Sequence, residues 1–219
     1  QLGLGDNVDR NVFTQIPNIT NPNKIVCGGL HTIIEKSDGT VWVTGYNSNG
    51  QLGLGDTTIR NVFTQIPNIT NPNKIVCGTY HSVVEKSDGT VWGCGFNSYG
   101  ELGLGDNVDR NVLTQIPNIT NPNKISCGLH TIIEESDGTL WVTGYNTYGQ
   151  LGLGDNVDRN VLTQIPNITN PNKIVCGLYH SVVEKTNGTS WVCGYNSNGQ
   201  LGLGDINNRN VFTFIPKIP

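Results

Sequence analysis

Methionine is missing altogether from the 219 residues. With no initiator, the sequence reads as a processed form or a piece of a longer chain. Charge is sparse: 14% of residues are charged, and the formal net charge is −4. Binding to nucleic acid or to an anionic membrane needs a basic face, and this balance argues against both. Long apolar runs are absent, and none approaches the roughly 18–20 residues of a membrane-spanning helix. No signal peptide is visible. No stretch combines helix length with a 3.6-residue apolar period. What remains is a chain of short strands and turns.

Glycine, at 28 residues, is what the chain has in quantity, and it falls in a pattern. The string Q/E-L-G-L-G-D begins at Gln1, Gln51, Glu101, Gln150 and Gln200. The spacing is about 50 residues, which marks a repeat architecture and takes precedence over residue-level readings. The third interval is one residue short because Cys27-Gly28-Gly29-Leu30-His31 becomes Cys127-Gly128-Leu129-His130. Copies one and three share His-Thr-Ile-Ile-Glu; copies two and four share His-Ser-Val-Val-Glu. A two-repeat unit that was itself duplicated explains this alternation.

Each copy divides into four strand-sized runs. Lys24 to Cys27 is short and apolar. His31 to Lys36 follows, then Ser37-Asp38-Gly39-Thr40, a hairpin turn signal between two β-branched runs. Val41 to Thr44 carries Trp42. The N-V-F-T-Q-I run after the glycine-rich anchor is the fourth strand; its first occurrence, Asn11 to Ile16, reads as a strand stopped by Pro17, with a turn-rich connector to Asn23. Ile33-Ile34 and Val41-Trp42-Val43 are apolar on both faces, as expected of sheets covered on both sides. Four short antiparallel strands per repeat fit a β-propeller blade.

The fold class is therefore all-β. A β-propeller array over 1–219 is expected, with blades at about 24–69, 74–119, 124–168 and 173–218, and 1–23 as a spare outer strand and connector.

The string C-G-x-x-H-T, then D-G-x-V-W, then G-x-N-x-x-G-Q-L-G-L-G-D and a later R…P, resembles the repeat of the regulator of chromosome condensation family. The resemblance covers the whole chain, four times over. It implies a propeller of about 50-residue blades, typically seven of them in this family. The founding member's exchange activity toward the small GTPase Ran uses an added wedge, and its chromatin contacts use basic elements; neither is visible here. The related plant ultraviolet photoreceptor clusters its tryptophans, whereas Trp42, Trp92, Trp141 and Trp191 stand one per repeat. Four blades leave three arrangements open: a section of a longer closed propeller, closure with copies of itself, or a four-bladed ring closing alone.

The recurring polar residues are the candidates for chemistry. His31, His81, His130 and His180 could ring an axis and hold a metal, or hydrogen-bond within and between blades. The second fits one histidine per repeat, and no metal or other cofactor is expected. Asp6, Asp56, Asp106, Asp155 and Asp205 could bind calcium, but lack the spacing of known calcium loops and read as caps of their own loops. Arg10, Arg60, Arg110, Arg159 and Arg209 read as partners for loop carbonyls or carboxylates. L-G-L-G-D is followed by no Lys-Ser/Thr and is not a phosphate loop.

The six cysteines sit at two repeat positions, Cys27, Cys77, Cys127 and Cys176 at one and Cys94 and Cys193 at the other. Equivalent positions in separate blades should exceed the roughly 7 Å Cα separation that a disulfide tolerates. Buried thiols in a reducing, intracellular compartment are expected. N-x-T sequons at Asn18, Asn68, Asn118, Asn167 and Asn187 point the other way and matter only after secretion.

No nucleophile, base and orienting group break the repeat symmetry together, so no enzyme is expected. The function expected is a β-propeller scaffold for protein–protein interaction, with partners held on loops. The alternatives are a structural protein that self-assembles into rings or fibres, and, by family analogy alone, guanine-nucleotide exchange on a small GTPase. Partners are proteins or further copies of the chain, with neither nucleic acid nor membrane.

Overall fold

In a computed structural model, residues 1–216 are described. They form sixteen strands in four antiparallel four-stranded sheets, with no helix among the described residues. Each sheet uses one continuous stretch of chain in simple meander order. The first holds β1 (Pro22–Cys27), β2 (His31–Lys36), β3 (Thr40–Gly45) and β4 (Arg60–Thr70). The second holds β5 (Lys74–Cys77), β6 (His81–Glu85), β7 (Thr90–Gly95) and β8 (Arg110–Thr120). The third holds β9 (Lys124–Cys127), β10 (His130–Glu134), β11 (Thr139–Gly144) and β12 (Arg159–Thr169). The fourth holds β13 (Pro171–Cys176), β14 (His180–Lys185), β15 (Ser190–Gly194) and β16 (Arg209–Phe214). The expected end of the last blade, at 218, lies outside the described residues.

Local chemistry sets the hairpins. Gly39 takes φ +81°, a left-handed conformation that a side chain resists, and its N–H donates to Lys36 C=O at 2.9 Å. Asp38 Oδ1 accepts from the Thr40 N–H at 2.9 Å and from its hydroxyl at 2.6 Å. Thr40 Oγ1 in turn accepts the Trp42 indole N–H at 2.8 Å, so the turn orients the tryptophan. Lys36 lies over that ring, 4.0 Å from its centroid. From this turn β2 and β3 pair in register, Ile33 opposite Val43 and Glu35 opposite Val41.

Two features differ from the sequence reading. Residues 11–16, expected as a strand, are irregular. The identical residues 61–66 form a strand because β3 is there to pair with, Val43 opposite Thr64 and Trp42 opposite Gln65. Second, proline does not stop the outer strand. β4 runs through Pro67 to Thr70, pairing with Thr40 after a register shift. An outer strand has one free edge, so the missing N–H costs no ladder bond. Asn68 turns the bulge with φ +61°, and Ile66 and Ile69 on either side point inward and are buried.

The chain forms two compact units: Gln1–Phe96 with Asp109–Ile116, and Asn97–Val108 with the chain from Pro117. In the first, Ile33, Val43 and Leu52 of one repeat pack with Ile75 and Val84 of the next. In the second, Ile132, Val142 and Leu151 pack with Ile174 and Val183. Each such side chain contributes roughly 1.5–3 kcal/mol when fully buried. These seams between sheets explain why the strands are apolar on both faces.

Candidate interaction surface

The anchor loops after β3, β7, β11 and β15 are held by a buried asparagine. Asn47 Oδ1 accepts the Leu52 N–H at 2.9 Å, and its Nδ2 donates to the carbonyls of Asp56 (3.0 Å) and Thr58 (3.1 Å). Asn97, Asn146 and Asn196 repeat this, each accepting at 2.9 Å from the leucine five residues on. The loop aspartates turn onto their own loops. Asp56 Oδ1 accepts the Thr58 N–H at 2.8 Å and Oδ2 takes Arg60 Nη2 at 2.6 Å. Arg60 Nη1 also donates to Thr58 C=O at 2.7 Å. Asp6–Arg10, Asp155–Arg159 and Asp205–Arg209 form the same ion pair. The arginine bond is the largest cause holding the Asp6 and Asp56 carboxyls below the usual range. Asp106 Oδ1 accepts the Val108 N–H at 3.0 Å.

The first four anchors then reach one repeat forward. Leu4 bridges Val62, Leu54 bridges Val112, Leu104 bridges Val161 and Leu153 bridges Val211. Around the second bridge, Gly55 N–H donates to Asn111 C=O at 2.8 Å, and Asn111 Nδ2 returns a bond to Gly55 C=O at 3.1 Å.

Two of the histidines, His31 and His130, also point forward. His31 Nε2 lies 2.8 Å from Ser82 Oγ, and Ser82 Oγ donates to Gln51 C=O at 2.8 Å. A serine has one proton, so the imidazole is the donor. His130, Ser181 and Gln150 repeat the relay at 2.7 Å and 2.7 Å. Burial pushes His31 down to about 4 and His81 to about 3, so both stay neutral. His180 is lowered by the same cause. No group of three or more His, Cys, Asp or Glu suited to a metal occurs among the described residues. All six cysteines are free, and burial pushes the Cys94 and Cys176 thiols up to about 12.

One surface breaks the repeat. In the second unit, Tyr145 and Tyr195 follow the last glycine of a third strand, Tyr179 precedes a β14 histidine, and Tyr99 and Tyr148 lie in anchor loops. Their rings meet edge to face or tilted. Centroids are 4.7 Å apart for Tyr99–Tyr145, 5.2 Å for Tyr148–Tyr179 and 4.8 Å for Tyr148–Tyr195. Backbone bonds fix the platform: Tyr195 N–H donates to Tyr179 C=O at 2.9 Å. Tyr99 is exposed and the other four are half-buried. Neighbouring hydroxyls, Tyr145 foremost, push the Tyr148 phenol up, so it stays a neutral donor. The first unit has a sparser version, Tyr46–Tyr80 at 6.4 Å and Tyr80–Phe96 at 6.2 Å.

Residues 1–218 match the RCC1-like domain. The chain belongs to the RCC1-like domain family. Solved structures agree on the fold. Human WBSCR16 superposes with a TM-score of 0.82 at 22% identity, over 99% of this chain and 60% of that one. Yeast RCC1 (Prp20), solved with Kap60, gives 0.82 at 20% identity, over 92% of this chain and 50% of that one. Prp20p from Saccharomyces cerevisiae, solved in work on its binding to Gsp1p and histones, gives 0.81 at 20%. This chain thus spans 60% or less of those proteins' lengths.

Within the RCC1-like repeat, the histidines, tryptophans and aspartates named from the sequence all sit in blades or in loops that brace themselves. Each recurs once per repeat copy, and among the described residues they form no group of three or more suited to a metal. Sequence reasoning missed the tyrosines, the asparagine at the heart of each anchor, and the Ser82 and Ser181 relays. Signals existed for two of these. The asparagine is the same in all four copies, and Tyr99 and Tyr148 replace Asn49 and Asn198.

Proposed function

We propose that this RCC1-like chain is a non-catalytic scaffold that holds a protein partner on the five-tyrosine surface of its second unit. The observation that carries the reading is that cluster: five rings in contact, partly exposed, on loops whose backbone is bonded down. Tyrosine offers large contact area at little conformational cost, and its hydroxyl keeps a hydrogen-bonding handle. The other recurrent polar groups are engaged within the blades and their loops, which favours binding over chemistry. Prp20p was solved in work on its binding to Gsp1p and histones, which supports the reading that this fold carries protein partners.

The test is affinity capture with the wild-type chain and with a Tyr148→Ser/Tyr179→Ser variant, followed by titration of each purified partner. Truncating a hot-spot tyrosine costs about 2 kcal/mol or more, so a partner of this surface should bind the variant at least ~30-fold more weakly. Partners that bind both forms equally, or none at all, would overturn the reading.

A further inference from the structure

Three of the four repeats cover their tryptophan with a lysine of their own. Lys36 Nζ lies 4.0 Å from the Trp42 ring centroid, Lys86 Nζ 3.6 Å from that of Trp92, and Lys185 Nζ 4.6 Å from that of Trp191. The third repeat has Glu135 at this position, a reversal of charge. Its hairpin is otherwise the same. Glu135 N–H donates to Thr139 C=O at 2.9 Å, as Lys86 N–H does to Thr90 C=O at 2.9 Å. The Trp141 indole N–H donates to Thr139 Oγ1 at 3.0 Å, as that of Trp92 does to Thr90 Oγ1 at 2.7 Å. The third ring is therefore presented like the others, and among the described residues no cation lies over it.

Trp141 and Glu135 line a cleft of about 260 Å³, walled by Pro117, Ile119 and Leu162. All five residues belong to the second unit. Among the described residues, no basic side chain lines the cleft. The matching cleft of the first repeat, about 250 Å³, is lined by Pro17, Ile19 and Trp42 and by Lys36 itself. Two clefts of one design thus differ in charge: one supplies an ammonium group, the other a carboxylate. Glu134 next door is paired with Lys124, but Glu135 has no ion-pair partner among the described residues. Burial first, and the charge of Asp137 second, push the Glu135 carboxyl up. A half-buried carboxylate beside an indole lacks a counter-charge here.

We propose that the Trp141–Glu135 cleft binds an alkylammonium ion from outside the chain, a group with the chemistry of a lysine side chain. The ion lies over Trp141 as Lys36 lies over Trp42, and Glu135 neutralises it. Tryptophan is the best ring for holding a cation, and the attraction grows as water is excluded. The cleft is smaller than the roughly 300–1,000 Å³ of sites for drug-sized ligands, which suits one side chain. It is separate from the tyrosine surface: Thr139 starts β11 at the hairpin, whereas Tyr145 follows its opposite end. The proposal therefore does not depend on that surface.

The indole N–H resonances report on each of the four tryptophans separately, and Trp141→Phe identifies the one that matters. n-Butylammonium chloride is titrated into the nitrogen-labelled chain at constant ionic strength, with n-butanol as the neutral control. The expected result is a saturable shift of Trp141 alone, in about the millimolar range for the contacts of one side chain. n-Butanol should leave it in place. Glu135→Gln should weaken binding about 2–5-fold. Glu135→Lys should keep the melting temperature and abolish binding, because the new lysine takes the ring. Lys36→Glu should do the reverse and make Trp42 a second responsive indole. N-acetyl-lysine methylamide binding as well as n-butylammonium assigns the ligand to a lysine on a partner chain; binding by n-butylammonium alone assigns it to a free amine. The proposal is overturned if no indole moves, if all four move alike, or if n-butanol shifts Trp141 as far. It is equally overturned by a response that survives Glu135→Lys, or by a Lys36→Glu chain in which Trp42 stays silent.

Discussion

Residues 11–16 and 61–66 are both Asn-Val-Phe-Thr-Gln-Ile. The second is part of β4, with Ile66 buried and Phe63 lying over Gly3; the first has no regular structure and Phe13 is fully exposed. Composition, propensity and turn chemistry are identical, so none of them decides the outcome. The neighbouring strand decides it. β propensity describes a fit to a half-buried pleated surface, and without β3 that surface is absent. The same lesson extends to repeated positions within each unit, where one copy leans on the next.

Paired substitutions sharpen this comparison. The largest difference is expected between Ile66→Ala and Ile16→Ala. The buried residue should cost about 2–5 kcal/mol of stability, and its twin under about 1 kcal/mol; denaturant melts of the two variants measure it. Next come the histidines. His31 is neutral when folded, at about 4 instead of 6.5. The unfolded chain therefore binds the extra proton between those values, so the His31 contribution is complete above pH 6.5 and lost as the pH falls towards 4. Its shift corresponds to about 3 kcal/mol. His31→Gln keeps a donor for Ser82 and should flatten the acid limb of a melting-temperature profile; His180→Gln, at a half-buried site, should flatten it less.

The third pair is Gly50→Ala against Gly199→Ala. Both glycines have positive φ, +85° and +75°, but only the first would drive its Cβ into a neighbour's backbone. Both should lose about 1–2 kcal/mol to strain, and Gly50→Ala a further ~1–3 kcal/mol to overpacking. Equal melting points would mean the seam gives way more easily than its distances imply. The smallest effect concerns the ring cover. Lys36 and Lys86 sit 4.0 Å and 3.6 Å from Trp42 and Trp92, while the third copy has Glu135 at that position. Glu135→Lys should raise stability by about 0.5–1 kcal/mol, an increment that high salt should reduce.

Much of the fold was legible in the sequence because it is local. The period, the Asp-Gly turns and the apolar runs each act within about a dozen residues, and they placed β2, β3 and their hairpin. What lay outside was non-local. Whether Asn11 to Ile16 forms a strand depends on a partner strand, and whether Pro67 ends one depends on which edge is free. The candidate surface was least legible of all. Tyr99, Tyr145, Tyr148, Tyr179 and Tyr195 stand in different loops, and a list of residues holds no hint that their rings touch until the register brings those loops to one end of the sheets. His31 was visible, but its partner Ser82 lies 51 positions away.

Each sheet is wound from one uninterrupted stretch of chain, the outer strand of one running directly into the inner strand of the next. That has a mechanical consequence. Tension applied at the two ends does not have to break all sheets together; it can peel them in turn, and each releases its own length of about 50 residues, or some 165–180 Å when fully drawn out. A molecule built this way yields to load in equal steps, and the blades not yet reached by the pull keep their folded surfaces while it does so.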